Sequence, residues 1–237
     1  MYNEYLVQVA ARRLYMNKFE TPEHAATHVD APVHFAEGKW AVDQIPIWRL
    51  AGPAVLLDVE DRVRESVRRG ELDYLVSVAD VRRWERQHDH LPDNVILLVH
   101  TGWWRRWNRT SDYLGIPKPL PAGQLPADCL QCHFPGFDPQ LISWLLAERP
   151  SFRAVGIDTL SQDCGSSQTF RTHRLNAQHN KYAIENLNFE SMSERVRRRL
   201  AASGAPLFVQ IAPTKVDSGS GAPTRVFLYG RTPRASE

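Results

Sequence analysis

Between Glu23 and Phe35 the chain reads Glu-His-Ala-Ala-Thr-His-Val-Asp-Ala-Pro-Val-His-Phe, placing His24, His28, Asp30 and His34 within eleven residues. This segment restricts the fold more than any other. Imidazole and carboxylate are ligand types of zinc, manganese and iron sites, so the local backbone must bring several of them to one point. A helix would place His24 and His28 on one face. It would also carry Asp30 about 240° around from His24, and Val29 and Pro32 both weaken a helix. In an extended segment His28, Asp30 and His34 share a face. The expected geometry is therefore a turn carrying His24, then a strand-like stretch carrying His28 and Asp30. Four ligand-type residues this close, in a chain with nine histidines, point to a site rather than to scattered surface histidines.

The rest of the chain is ordinary for a globular protein. Its 237 residues are 43% hydrophobic and 24% charged, enough to bury a core without disulfide staples. A formal charge of +2 gives no support to a nucleic-acid partner. No run approaches the roughly 18 to 20 apolar residues of a membrane span. The N-terminal MYNEYLVQVAARRLYM is too interrupted by charge for a secretory signal. Three cysteines, Cys129, Cys132 and Cys164, make no disulfide framework and suit a reducing compartment, so a cytoplasmic protein is expected.

Apolar runs at Pro53–Val59, Asn94–Thr101, Phe152–Ile157, Leu207–Ile211 and Arg225–Tyr229 predict strands. Helices are expected from a Ser77 cap through Val81 and Trp84 to His88, from Asp138 through Leu141, Ile142, Leu145 and Leu146 with Pro150 just beyond the end, and from Ser193 to Ala202 with Gly204 beyond. Trp103 to Cys129 is expected to be a long loop. The alternation predicts an α/β protein with a mixed sheet. No linker marks a boundary, so one domain is expected. The arginines between Arg195 and Arg199 are expected to form a solvated helix face.

The segment His24-Ala25-Ala26-Thr27-His28-Val29-Asp30-Ala31-Pro32-Val33-His34 resembles the signature His-x-Gly-Thr-His-x-Asp-x-Pro-x-His of the cyclase-like metal-dependent hydrolases, a family that includes bacterial-type kynurenine formamidase and isatin hydrolase. The likeness continues through His34–Pro46, His133–Phe137, Gly156–Ser161 and Gly219–Arg225. One departure is Ala26 where the family has glycine, which would strain the turn if that position needs a positive φ.

The resemblance implies a mixed, partly barrel-like sheet flanked by helices, with residues 1–237 forming one domain that lacks part of the usual N-terminal segment. It implies that His24, His28, Asp30 and Glu185 hold one metal, and that Asp30, His173 and Glu185 hold a second. His173 and Glu185 stand twelve residues apart. Isatin hydrolase is similar but has glutamine at the Glu185 position and one manganese, so Glu185 favours a formamidase-like site with one or two ions, zinc ahead of manganese.

His34 would then be a proton shuttle. The implied activity is hydrolysis of an aryl formamide such as N-formylkynurenine, in tryptophan catabolism. An isatin-type cyclic amide, or a metal-binding homologue without turnover, is the alternative. The implied partners are a small aryl amide substrate and a second copy in a homodimer, with no nucleic acid and no membrane. Phe35 and Trp40 follow the cluster and could form an aromatic wall for a flat substrate; plain core packing suits the same residues equally well. His179 is expected to be a surface histidine.

Three rival chemistries fit poorly. An iron oxygenase triad of His28, Asp30 and His173 leaves His24 and His34 unexplained and lacks the arginine such enzymes place past the distal histidine. A serine hydrolase needs Gly-x-Ser-x-Gly, and Ser218–Ala222 lacks both outer glycines. Cys129-Leu130-Gln131-Cys132-His133 matches a haem-attachment pattern, but there is no export signal to go with it.

Overall fold

A computed structural model describes residues 3–9, 12–116, 131–203 and 207–230. Seven strands close a barrel: β3 (His28–Asp30), β4 (Ala51–Asp58), β6 (Ile96–His100), β8 (Ala154–Ile157), β9 (Tyr182–Glu185), β10 (Leu207–Pro213) and β11 (Gly221–Tyr229), in the spatial order β10-β11-β3-β9-β8-β6-β4. Two further pairs stand outside it, β1 (Asn3–Val9) with β2 (Arg12–Lys18) and β5 (Leu75–Val76) with β7 (Gly136–Phe137). The described α-helices are α1 (Glu60–Arg68), α2 (Val78–His88), α3 (Thr110–Leu114), α4 (Pro139–Glu148), α5 (Arg171–Gln178) and α6 (Glu194–Ser203), with short 3-10 turns between elements. The expected mixed sheet flanked by helices is present.

Strands β4, β6, β8 and β9 run parallel. Every residue of β6, β8 and β9 is buried, which is why their sequences are continuous apolar runs rather than alternating ones. Their side chains nevertheless alternate between two cores. Leu56, Ile96, Leu98, Tyr182 and Ile184 join Val29, Val209 and Ile211 in one cluster, which fills the barrel. Val55, Leu57, Leu97, Val99, Val155, Ile157 and Ala183 pack outward against Val81 of α2 and Leu141, Ile142 and Leu145 of α4. This parity positions the site. Val29 and Ile184 point inward, so His28, Asp30 and Glu185 lie on the outer face of the barrel wall.

The helix signals act as their chemistry dictates. The Asp80 carboxylate accepts from both the backbone N–H and the hydroxyl of Ser77, at 2.8 and 3.0 Å, closing the start of α2. The Asp138 carboxylate accepts from Gln140 N–H at 2.8 Å at the start of α4.

Several elements differ from expectation. The segment after Trp103 contains a 3-10 turn at Trp103–Arg106 and then α3, tied together where Trp103 Nε1–H donates to Tyr113 O at 2.7 Å. Residues 117–130, with Cys129, and Gly204 lie outside the described residues. Strand β11 begins at Gly221 rather than Arg225, because residues 221–223 pair with β3. Helix α5, whose sequence is mostly polar, and β9, whose run is only four residues long, lie outside the elements expected from the sequence.

The arginine face of α6 is also corrected. Arg197 is 1% exposed and ion-pairs with Asp58, while its second nitrogen donates to Glu60 at 2.8 Å. That helix docks over the end of β4 through a buried cation, and periodicity alone cannot reveal that partner.

Candidate metal centre

The turn before β3 is built on Ala26, which holds φ 52°, the left-handed conformation that an L side chain disfavours. It aims His24 back over the strand. His24 Nδ1 lies 2.7 Å from Asp30 Oδ1, and His28 Nε2 lies 3.1 Å from the same oxygen. Strand pairing sets His28 opposite Glu185 on β9, with His28 Nε2 3.5 Å from Glu185 Oε2. His173, in the first turn of α5, brings its Nε2 to 3.3 Å from Asp30 Oδ2 and 3.2 Å from Glu185 Oε1. The five metal residues expected from the sequence therefore converge. His28, Asp30, His173 and Glu185 are buried, and His24 is partly exposed.

The histidines are held from behind. His28 Nδ1–H donates to Ala26 O at 2.9 Å. His173 Nδ1 is 2.6 Å from Asp163 Oδ2, and that carboxylate also accepts the Thr172 and His173 backbone N–H groups. Ser220 gives both its hydroxyl and its backbone proton to Glu23 Oε2, at 2.6 and 2.9 Å. Its oxygen is thus left to accept from His24 Nε2–H at 2.9 Å. Glu185 Oε1 accepts Gln162 N–H at 2.8 Å.

With their outer nitrogens committed as donors, the three histidines turn lone-pair nitrogens onto two carboxylates. Acceptors facing acceptors at 2.7–3.5 Å require cations between them, either protons or a metal. Separations near 3.3 Å are also what neighbouring ligands of one ion show when their bonds are about 2.1 Å. The donor set fits a divalent metal, and the outer hydrogen bonds are the orienting shell such sites use.

The electrostatics agree. Burial pushes the Asp30 carboxyl up, but hydrogen bonds from His173, His24 and His28 carry it well below the usual range. Burial and then the Asp30 charge raise Glu185. Burial would lower His173, yet Asp163, Asp30 and Glu185 together carry it well above the ordinary imidazole value. One buried carboxylate is held ionised and its neighbour resists a second negative charge, the state a bound cation relieves.

His34 follows in the 3-10 turn Pro32–His34 and stacks on His24, ring centroids 4.0 Å apart. It is exposed, and while its backbone N–H donates to Ala31 O at 2.9 Å, its ring makes no hydrogen bond among the described residues. Partial desolvation against the cluster lowers its pKa, opposed by the Asp30 charge and aided by the charges of His24, His173 and His28. Phe35 lies 4.7 Å from His34 and 4.3 Å from His173 by centroid, so it borders the cluster. Trp40 goes elsewhere: its ring lies under the Arg49 guanidinium at 5.3 Å and packs against the barrel core. His179 is exposed at the C-cap of α5, its ring bonding Leu175 O. His133 pairs with Asp73 at 2.6 Å, and Cys132 is buried.

Asp163, Ser220 and Glu23 were not foreseen as site residues. Asp163 and Ser220 act through donors ten and 196 residues away in sequence, so no spacing marks them. Glu23 adjoins His24, and nothing local distinguishes it from a solvated acid.

A closed α/β barrel carrying three histidines and two carboxylates on its outer wall presents a candidate metal centre. The chain belongs to the Cyclase family, whose model matches residues 2–164. It is 26% identical to the isatin hydrolase of Roseibium aggregatum over 211 residues, 86% of this chain and 70% of that protein. It is likewise 26% identical to the kynurenine formamidase of Bordetella petrii over 174 residues, 72% of this chain and 64% of that protein. Among solved structures, isatin hydrolase A from Ralstonia solanacearum superposes with a TM-score of 0.73 at 26% identity, covering 96% of this chain and 81% of that one.

Proposed function

We propose that the chain is a metal-dependent hydrolase that cleaves the C–N bond of an aryl amide, with an aryl formamide such as N-formylkynurenine as the first substrate class. The observation that carries this is the convergence of His24, His28, Asp30, His173 and Glu185 with an unbonded imidazole, His34, at their solvent side. His24, His28, Asp30 and Glu185 would hold one ion, and Asp30, His173 and Glu185 a second, with zinc ahead of manganese for this donor set. A divalent metal bound there supplies a water acidified to near neutrality and polarises a carbonyl.

The protein's own residues do the rest. Asp163, Ala26 and Ser220 fix the tautomers of the three ligand histidines. His34 takes the proton of the attacking water and returns it to the departing amine, so that water adds at the carbonyl carbon, the C–N bond breaks, and acid and amine leave. An imidazole with a lowered pKa stays available as base near neutral pH. Phe35 faces the place where an aryl ring would lie.

A second reading, hydrolysis of an isatin-type lactam, is favoured by the similarity to isatin hydrolase, which spans more of the chain than the similarity to formamidase. Retention of Glu185 favours the first. Metal analysis followed by assays on N-formylkynurenine and isatin side by side separates them. For His34→Ala the expected outcome is retained metal with hydrolysis down about 10²- to 10⁴-fold, and for Asp30→Ala loss of metal as well. Full activity in His34→Ala removes it from the chemistry. Metal without hydrolysis of either substrate leaves a binding homologue only.

A further inference from the structure

Phe170 is an anomaly in its own surroundings. It holds φ 48° and ψ 43° at the N-cap of α5, a left-handed conformation that bulky L residues rarely adopt and that glycine or asparagine takes without strain. Residues at that position ordinarily supply a side-chain oxygen to the helix N–H groups. Phe170 supplies none, and the Asp163 carboxylate takes over, accepting Thr172 N–H at 3.0 Å and His173 N–H at 3.1 Å. Nor does burial account for it, since Phe170 remains 40% exposed. Backbone preference, capping and core packing each argue for a different residue here. Strain of this kind persists where the surroundings enforce it, and it clusters at binding sites.

The ring goes to the metal residues. Its centroid lies 5.5 Å from Phe35 and 5.8 Å from His173. Phe35 in turn lies 4.3 Å from His173 and 4.7 Å from His34. The two phenyl rings form one continuous apolar surface, flanked by the shuttle imidazole and a ligand imidazole, with its outer part open to solvent. Aromatic rings at these centroid separations interact through offset or edge contacts and accept a further ring in the same manner.

We propose that Phe170 is a substrate-contacting residue that, together with Phe35, forms the wall receiving the aryl ring of the substrate. This rests on the aryl amide reading above and names the group that selects aryl over aliphatic amides.

The test uses the metal-loaded chain, Phe170→Gly and Phe170→Trp. Glycine fits φ 48° and removes the ring; tryptophan keeps an aromatic face. Three readouts are taken: the melting temperature, the Kd for anthranilate with acetate as its non-aryl counterpart, and kcat/KM on N-formylkynurenine, isatin and an aliphatic formamide. Expected for Phe170→Gly are an equal or higher melting temperature, anthranilate binding about tenfold weaker with acetate unchanged, and kcat/KM on aryl substrates down about tenfold, mostly in KM. Phe170→Trp should restore anthranilate binding.

A purely structural Phe170 would give the opposite melting shift and would lose acetate binding and aliphatic turnover equally. That result overturns the proposal, as does unchanged anthranilate affinity in Phe170→Gly. If the unmodified chain hydrolyses none of the substrates, the aryl amide reading fails, and the anthranilate titration still decides whether Phe170 holds an aryl ring.

Discussion

At the scale of single residues, the site depends on groups that contact no substrate. Ala26 carries a side chain where φ is 52°, and left-handed backbone costs an L residue about 1–2 kcal/mol relative to glycine. Ala26→Gly is therefore expected to stabilise the chain by about 1 kcal/mol, read as a rise in melting temperature; a fall would mean that the methyl group contributes packing. Asp163 fixes His173 through a 2.6 Å hydrogen bond. Losing an orienting partner of a ligand histidine ordinarily weakens metal affinity 10- to 100-fold. Asp163→Asn should show that loss in competitive zinc titration, and unchanged affinity would remove His173 from the ligand set. Gly221 is a further constraint of this size, because a Cβ there would sit 2.6 Å from His24 Cε1.

At the scale of elements, β3 is the organising piece. Its three residues pair with β9 on one side and β11 on the other, and so bring together Glu185, Ser220 and the His24 turn, which are far apart in the chain. Helix α5 then carries His173 to the same point. Helix α6 is anchored differently, by Arg197 between Asp58 and Glu60. Glu60 also pairs with Arg64 at 2.8 Å and Arg105 at 2.7 Å, so Arg197 is one of several cations in that network. Removing one partner of a buried pair leaves an uncompensated charge worth about 3–5 kcal/mol. Arg197→Ala is expected at the lower end of that range by urea denaturation, because the neighbouring arginines compensate in part. A change below about 0.5 kcal/mol would return Arg197 to the solvated face that periodicity suggests.

At the scale of the molecule, the candidate metal residues come from four separate segments: the His24 turn, β3, the start of α5 and the end of β9. An ion that needs all four binds the folded chain and not the unfolded one. Such binding stabilises by RT ln(1 + [L]/Kd), about 2.7 kcal/mol when free metal is 100 times Kd. Zinc is expected to raise the melting temperature and a chelator to lower it, with the shift lost in His28→Ala. A melting temperature indifferent to both would count against a metal centre. Among the described residues no helix is long and apolar enough to cross a membrane.

The sequence by itself determined the identity of the donors, the extended geometry of residues 28–30 and the apolar runs that become the buried strands β4, β6 and β8. These properties are local, depending on side-chain chemistry, backbone dihedrals and short-range periodicity. The likeness to a family added His173, Glu185 and the strain to be expected at Ala26. Only the tertiary structure decided that the cluster sits on the outer wall of a closed barrel, that Asp163 and Ser220 fix two of the histidines, that Trp40 turns to Arg49, and that Phe170 joins Phe35 beside the metal residues. The physical reason is that lone-pair direction and ring contact are set by strand register and barrel closure. Those bring together residues up to 196 positions apart, a separation along the chain that leaves no trace in spacing.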